Sequence, residues 1–451
     1  MILKALTDAL ADAVARCYPD VELDAARFVQ RNRDSAHGDA QVNAAFALAK
    51  QLRRNPTEIA EELAREIDAE PFGPGEVSGK AFVNFRLRDE WLADRMGHDR
   101  GLEQAAAPER VIVDFSSPNV AKEMHVGHLR STIIGDSLSR MFEARGHTVD
   151  RVSHVGDWGT QFGMLIQYIR ERELDPRSLS VAELDVLYKE SKGRFDEDPS
   201  FQDGARQAVV ALQAGEEWAR EVWETLRRVS ESEFHEIYDR LGVTIREVGE
   251  SFYQPLLPAV VSDLEAHGLI TVDDGAKCVF LDGYSIPLIV QKADGGYNYS
   301  TTDLAAVRHR VAQGHKRMVY VVDHGQSQHF EMVWAVARKA GWLPDDVVVV
   351  HVPFGLVLGE DGKRLRTRSG DSVALKALLD EAEQRGRALA REHGAPESTG
   401  EHLGLSAIRY AELAHNRMTN YVFSFDKMVS LEGNTAPYLL YAYARINGIA
   451  R

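Results

Sequence analysis

Two histidines three residues apart, His125 and His128, lie in the run Ser116-Ser117-Pro118-Asn119-Val120-Ala121-Lys122-Glu123-Met124-His125-Val126-Gly127-His128-Leu129-Arg130-Ser131-Thr132. At that spacing both imidazoles share one face of a helix start, so they either aim at one ligand or cap and pack the loop. The flanking residues supply the setting. Upstream, Val111-Ile112-Val113-Asp114-Phe115 has the β-branched density of a buried parallel strand. Downstream, Leu129, Ile133, Leu138, Met141 and Phe142 recur near helical spacing until Gly146 interrupts them. A strand, a polar loop and a helix N-terminus therefore meet. Unpaired N–H groups and the positive dipole end suit a phosphate, and Gly127 leaves room for a flat base or ribose against the backbone.

Two further cationic elements fit the same chemistry. Lys122 lies just upstream of the histidines, and a distant loop, Gly359-Glu360-Asp361-Gly362-Lys363-Arg364-Leu365-Arg366-Thr367-Arg368-Ser369-Gly370, follows the strand-like run Val347 to Val352. Its four cations, Lys363, Arg364, Arg366 and Arg368, suit a triphosphate clamp, since charges that meet developing phosphate charge gain strength in a site dried by closure. A solvated surface loop is the alternative.

Composition narrows the class. The chain has 451 residues, too many for one ordinary core, so two or three domains are expected. Its 44% hydrophobic and 27% charged content is that of a globular enzyme. No apolar run approaches the roughly eighteen residues of a membrane span, and the first residues read as an amphipathic helix rather than a secretory signal. The two cysteines, Cys17 and Cys278, match no metal spacing, which predicts no zinc and a reducing cytoplasm. A net charge of −16, from 53 basic and 69 acidic residues, argues against coating nucleic acid by bulk attraction. Any RNA contact must be local, with Lys50, Arg53 and Arg54, the 363–368 loop, and Arg417 near Asn416 and Asn420 as candidate patches.

Over nearly its whole length the chain resembles the arginyl-tRNA synthetases, a class I aminoacyl-tRNA synthetase family. His125-Val126-Gly127-His128 resembles the HIGH motif, and Arg364-Leu365-Arg366-Thr367-Arg368 resembles the degenerate form of KMSKS. Many arginyl enzymes lack the second lysine of that motif and use a lysine shortly before HIGH; Lys122 stands there, and Thr367 stands where the lysine would be. The resemblance implies catalytic roles for Lys122, His125, His128, Arg364, Arg366 and Arg368. It places ATP on His125, Gly127, His128, Lys363 and Arg364, with Mg²⁺ accompanying. Guanidinium is a planar cation that pairs best with bidentate acceptors. Asp114, Glu250 and Asp303, with Asn119, Tyr299 and Gln326, resemble the family's arginine-binding residues. The fourfold spacing of Tyr299 and Asp303 puts both on one helical face. Which acid meets the guanidinium and which the α-ammonium stays open, with Asp303 favoured for the former. The glycine-rich segment Val155 to Gly163 resembles a further block of the family and is assigned to the site wall, with core packing the alternative for Trp158.

The expected fold is α/β. A small α+β N-terminal domain, 1–105, has a helix opened by Asn55-Pro56 and a strand from Ala81 to Leu87. The resemblance gives it the tRNA D-loop, with Gly38 to Asn43 as marker residues and Asn84 and Phe85 on RNA; single-stranded loops are read by amides and stacking rings. Phe82 or Phe85 can instead be core. A Rossmann-like parallel-sheet catalytic domain spans 109–400, with a connective insertion at about 165–295. Residues 401–451 form a helical junction and the start of an anticodon-binding domain, of which Pro437 to Arg445 resembles only the opening. The expectation is a fragment, or a paralogue that passes arginine to a non-tRNA acceptor outside translation. A non-catalytic arginine or tRNA sensor is the reading from another class. The leading expectation is a cytoplasmic, monomeric ligase acting on L-arginine, ATP and tRNA(Arg), with no membrane partner. The family also implies that tRNA is needed for arginine activation itself.

Overall fold

A computed structural model of the chain describes residues 2–32, 34–79, 81–98, 104–359, 361–363, 365 and 373–450, with the side chains of 95–98 set aside. The chain divides into two compact units, Met1–Glu103 and Gln104–Arg451.

In the first unit the opening helix, Ile2–Cys17, buries Leu6, Leu10, Ala13 and Val14, the stripe its amphipathic pattern predicts. Helix Pro56–Glu66 starts as its sequence requires: the Asn55 side chain accepts the Thr57 N–H at 2.9 Å and Pro56 occupies the first turn. These helices, with Ala44–Leu52, share a core with an antiparallel sheet. The sheet's strands, in spatial order, are Val29–Arg31, Ala40–Val42, Phe82–Phe85 and Glu76–Ser78.

The second unit is built on five strands: β1 (Arg110–Asp114), β2 (Thr148–Val155), β3 (Arg246–Gly249), β4 (Arg317–Tyr320) and β5 (Val348–His351). All neighbours are parallel, in the order β5-β4-β1-β2-β3. Side chains alternate between faces. Val111 and Val113 of β1 and Val319 of β4 join one core cluster, while Ile112 and Met318 join the other, so these two central strands are buried on both sides. The chain winds outward from β1 to β3, then returns to the far side of β1 as β4. Between β1 and β4 the direction of winding reverses, and there Asp114 pairs in register with Tyr320. A doubly wound sheet opens its crevice at such a reversal, beyond the carboxyl ends of the strands.

Helix α1 (Val126–Ala144) crosses from β1 to β2. Leu129 and Ile133 are buried and Leu138 and Phe142 pack against the same core, but Met141 is 62% exposed, one helical step off the stripe. Gly146, with φ of 87°, follows the helix end. Further helices used below are α2 (Glu217–Arg240), α3 (Tyr299–Ala312), α4 (Ser327–Lys339) and α5 (Glu397–Ala414). The stretch expected to be one insertion is not wholly outside the main sheet. It holds, among the described residues, four whole α-helices besides α2 and an antiparallel sheet of Thr271–Asp273, Ala276–Val279 and Leu288–Gln291, yet β3 inside it extends the parallel sheet. As an edge strand with a single buried residue, Val248, β3 carries no apolar signature.

Gly135 on α1 lies against Phe115, the residue after β1; a Cβ there would stand 2.2 Å from the ring. Gly135→Ala is expected to cost about 1–3 kcal/mol by overpacking. Gly193→Ala, in helix Val181–Glu197 with nothing near its Cβ position, should be neutral or stabilising. Denaturant unfolding of both variants provides the check.

Candidate active site

The α1 N-terminus is closed by its own histidines. His125 is the cap: its Nδ1 accepts the Gly127 N–H at 3.1 Å, and His128 Nδ1 accepts the His125 N–H at 3.0 Å. The rings stack with centroids 4.0 Å apart. Burial, and then the neighbouring His125, hold the His128 imidazole far below its ordinary value, at about 3, so the ring is neutral near pH 7. A neutral imidazole that accepts through Nδ1 carries its proton on Nε2. Capping therefore fixes the tautomer, and each ring keeps an Nε2–H donor in a residue that lines the adjacent cavity. The close fit also explains Gly127, where a Cβ would come within 2.9 Å of the His125 ring.

The loop that delivers this cap is held in an uncommon backbone. Ser116, Ser117 and Ala121 have φ of 69°, 50° and 60°, a region that L residues seldom adopt. Hydroxyls from three elements fix it: Ser131 Oγ of α1 accepts the Ser116 N–H at 2.8 Å, Ser153 Oγ of β2 the Ser117 N–H at 3.2 Å, and Ser230 Oγ of α2 the Ala121 N–H at 2.9 Å. Ser131 in turn donates to the Val321 carbonyl just past β4 at 2.6 Å, joining the two strand ends at the reversal.

Beyond those ends lies a cavity of about 560 Å³, within the range of small-molecule sites. Asp114, Asn119, His125, Gly127, His128, Glu250, Tyr299, Asp303 and Gln326 all line it. Their states differ. Asp114 is buried and already paired: Arg310 of α3 meets Oδ2 at 2.5 Å, and Ser117 Oγ donates to Oδ1 at 3.3 Å. Asp114 thus lines the cavity with an internal cation already bonded to one of its oxygens. Glu250 has no hydrogen bond or ion pair among the described residues. Burial pushes its carboxyl up to about 8, helped by the charges of Asp303 and then Asp157. Asp303 accepts from His329 Nε2 at 2.6 Å, and Tyr299 packs 4.7 Å from the His329 ring.

Asp157 and His329 carry no assignment from the sequence. Asp157 is buried and accepts both the N–H and the hydroxyl of Ser251, at 2.8 and 2.6 Å, which fixes the turn bearing Glu250. It sits in the glycine-rich segment quoted above, and His329 stands three residues after Gln326 on α4; spacing was the one available signal. Of the residues from Val155 to Gly163, only Gly156 lines the cavity. Trp158 packs edge-on against Trp223, the core alternative.

The cationic elements are only partly within view. The Lys122 ammonium lies 4.1 Å over the Tyr188 ring, and Lys122 is not part of the cavity wall. Arg364, Arg366, Thr367 and Arg368 lie outside the described residues. Lys363 is exposed, its N–H bonded to Asp361 Oδ1 at 3.0 Å. The flanks of that loop are nonetheless tied to α1. Leu365 lines the cavity, and past the loop the Leu375 N–H donates to the Met124 carbonyl at 2.7 Å, with Ala374 bridged to His125. Arg130, in the first turns of α1, donates to the Gly355 carbonyl at 2.7 Å and pairs with Glu412 of α5 at 3.0 Å, both side chains buried.

The residues expected on RNA in the first unit are enclosed. Phe85 is 1% exposed and packs on Phe72, so it has no face for a base. Asn84 is buried in an amide ladder: Gln30 donates to Gln41, Gln41 to Asn84 Oδ1 at 3.0 Å, and Asn84 to Ser78 Oγ at 2.6 Å. Phe82 is half-buried against the exposed Phe46, 5.2 Å away.

Residues 92–425 match the family model described as "tRNA synthetases class I (R), catalytic domain", and residues 2–87 the one described as "Arginyl tRNA synthetase N terminal domain". Relatives named arginine–tRNA ligase include one from Synechococcus elongatus, 52% identical over 441 residues, which cover 92% of this chain and 76% of that protein. Another, from Picosynechococcus, is 48% identical over 477 residues, covering 100% of this chain and 82% of its own. Among solved structures, arginyl-tRNA synthetase from Plasmodium falciparum superposes with a TM-score of 0.85 at 33% identity, covering 99% of this chain and 80% of that one. The Thermus thermophilus enzyme gives 0.80 at 25%, covering 100% and 82%.

Because the Asp157 charge is one cause of the high Glu250 value, Asp157→Asn, which keeps an acceptor for Ser251, should move the Glu250 titration midpoint below about 8. Side-chain carboxyl NMR of selectively labelled glutamate, with Glu250→Gln to assign the signal, reads the shift.

Proposed function

The chain belongs to the class I arginyl-tRNA synthetases, joining ATP-driven activation of L-arginine to its transfer onto tRNA(Arg), and we propose how its cleft divides that work. Likeness over the whole chain to arginine–tRNA ligases leaves a different final acceptor without support. The observation that carries the proposal is the pair of acids, Glu250 and Asp303, lining the same cavity as the stacked histidines with no lysine or arginine bonded to either among the described residues.

In this reading Asp303 and Glu250 take the guanidinium, Tyr299 flanks it, and Asn119 and Gln326 hold the polar end of the amino acid. The nucleotide lies against Gly127, its phosphates meeting the Nε2–H donors of His125 and His128. Neutral donors suit the step, because they stabilise charge as it shifts without themselves changing charge. A carboxylate oxygen of arginine attacks the α-phosphorus, the bond to pyrophosphate breaks, and arginyl-adenylate forms. The terminal ribose hydroxyl of tRNA then attacks the carbonyl carbon, and AMP leaves. No protein nucleophile is needed, so positioning and electrostatics supply the rate. Lys122 and the cations from Lys363 to Arg368 are assigned to the leaving pyrophosphate, which requires Lys122 to leave the Tyr188 ring.

Mg²⁺ enters on the phosphates. Among the described residues no three carboxylates, histidines or cysteines come together to hold a metal, and this ion commonly binds through substrate phosphates. The first unit is assigned to the tRNA D-loop, contacted through surface groups such as Phe46 rather than Phe85. By this reading the protein acts as a monomer in the cytoplasm. Among the described residues no helix is long and apolar enough to cross a membrane.

Arginine binding should release a proton. Glu250 holds its proton below about 8 in the empty site, and a permanent guanidinium cation favours the ionised form. Affinity for arginine should therefore rise with pH from about 6 to 8 and level off above. Calorimetry in buffers of different ionisation enthalpy measures the release, and Glu250→Gln should abolish it.

Labelled arginine with total tRNA tests the overall reading, with charging the expected result. ATP–pyrophosphate exchange should need tRNA; an undiminished tRNA-free rate would sink that expectation. Lys122→Ala should depress exchange by about 10²-fold or more with little change in arginine affinity.

A further inference from the structure

Asp303 is one of two acids assigned to the guanidinium, and it is held by a partner from another helix. His329, near the start of α4, donates from Nε2 to Asp303 Oδ2 at 2.6 Å, and the two side chains are only 11% and 21% exposed. The imidazole is itself packed, with the Tyr299 ring 4.7 Å away and Phe330 5.3 Å away. Asp303, Tyr299 and His329 all line the cavity.

A lone aspartate carboxylate turns easily, because its terminal torsion is broad and weakly staggered. A guanidinium fork gains its geometric specificity only from a carboxylate whose plane is fixed. One bond to Oδ2 supplies that constraint and leaves Oδ1, with the remaining lone pairs, for a substrate. At Glu250 the hold is on the backbone instead: Asp157 accepts from the Ser251 N–H and hydroxyl and fixes the turn that carries it.

We propose that His329 is a positioning and specificity residue for the guanidinium subsite, fixing the Asp303 carboxylate through its Nε2–H so that Oδ1 faces the substrate. The inference rests on the reading of Asp303 as the guanidinium acceptor. His329 touches no reacting atom; it acts through Asp303.

The test uses the whole chain with tRNA(Arg) and ATP, reading KM for arginine, KM for ATP, kcat, and inhibition by citrulline, an uncharged isostere of arginine. His329→Leu should raise the arginine KM about tenfold or more, the scale at which a lost orienting partner acts. KM for ATP and the citrulline inhibition constant should stay within about threefold. His329→Gln, which keeps an N–H donor, should recover most of the loss. Asp303→Asn/His329→Leu should be no worse than Asp303→Asn alone. An unchanged arginine KM in His329→Leu overturns the proposal. So does an equal loss for arginine, citrulline and ATP without rescue by glutamine, which would mark a packing role. If Asp303→Asn preserves the preference for arginine over citrulline, the reading of Asp303 fails and this proposal falls with it. If Asp303→Asn collapses that preference while His329→Leu keeps it, only the role of His329 is lost.

Discussion

Like charges held together in a partly dry cleft are costly unless a cation joins them or one of them takes a proton. Glu250, Asp303 and Asp157 stand in that relation, and the raised Glu250 value is the response of the empty site. The protein contains a counter-example: Asp114 at the end of β1 is buried and is neutralised by Arg310, which lies further along the helix that carries Asp303. One acid is thus closed by an internal guanidinium, while Glu250 and Asp303 meet no lysine or arginine among the described residues. The remaining architecture keeps those two in place, through the turn after β3 that Asp157 holds and through the contact between α3 and α4 at His329.

The second requirement is that an anion be held beside that cation. Helix α1 is proposed to do this through the same bonds that end it, because imidazoles accepting the cap N–H groups through Nδ1 carry their protons on the opposite nitrogens. The strained loop before it is maintained by serine hydroxyls reaching in from α1, β2 and α2. Arg130 extends the arrangement by clamping α1 to the backbone at Gly355 and to Glu412 of α5. Such a buried pair contributes more to fixing register than to net stability, since desolvation offsets much of its attraction. Its consequence is that the segment leading into the cationic loop and the helix bearing the histidines are tied together.

Much of this could be read from the chain alone, wherever the signal was local. The cap at Asn55, the strand at Val111, the helix after His125 and the shared face of Tyr299 and Asp303 all depend on spacings of a few residues. What could not be read there depends on partners from far away in the chain. Nothing near Asp114 in the chain shows that Arg310, 196 positions later, reaches it. Phe85 looked like a stacking ring, yet the pleat that exposes Arg86 turns Phe85 into the core. The strand β3 went unnoticed because an edge strand needs little apolar content.

By itself the sequence determined which residue types could meet a triphosphate and a guanidinium, and which short elements would carry them, since period and capping are properties of neighbouring residues. The tertiary structure alone decided which acids meet an internal cation, which ring tautomers the cap selects, and that Asp157 bonds the turn after β3 while His329 bonds Asp303. Those outcomes follow from strand order and helix packing, which set distances between residues that no local pattern relates.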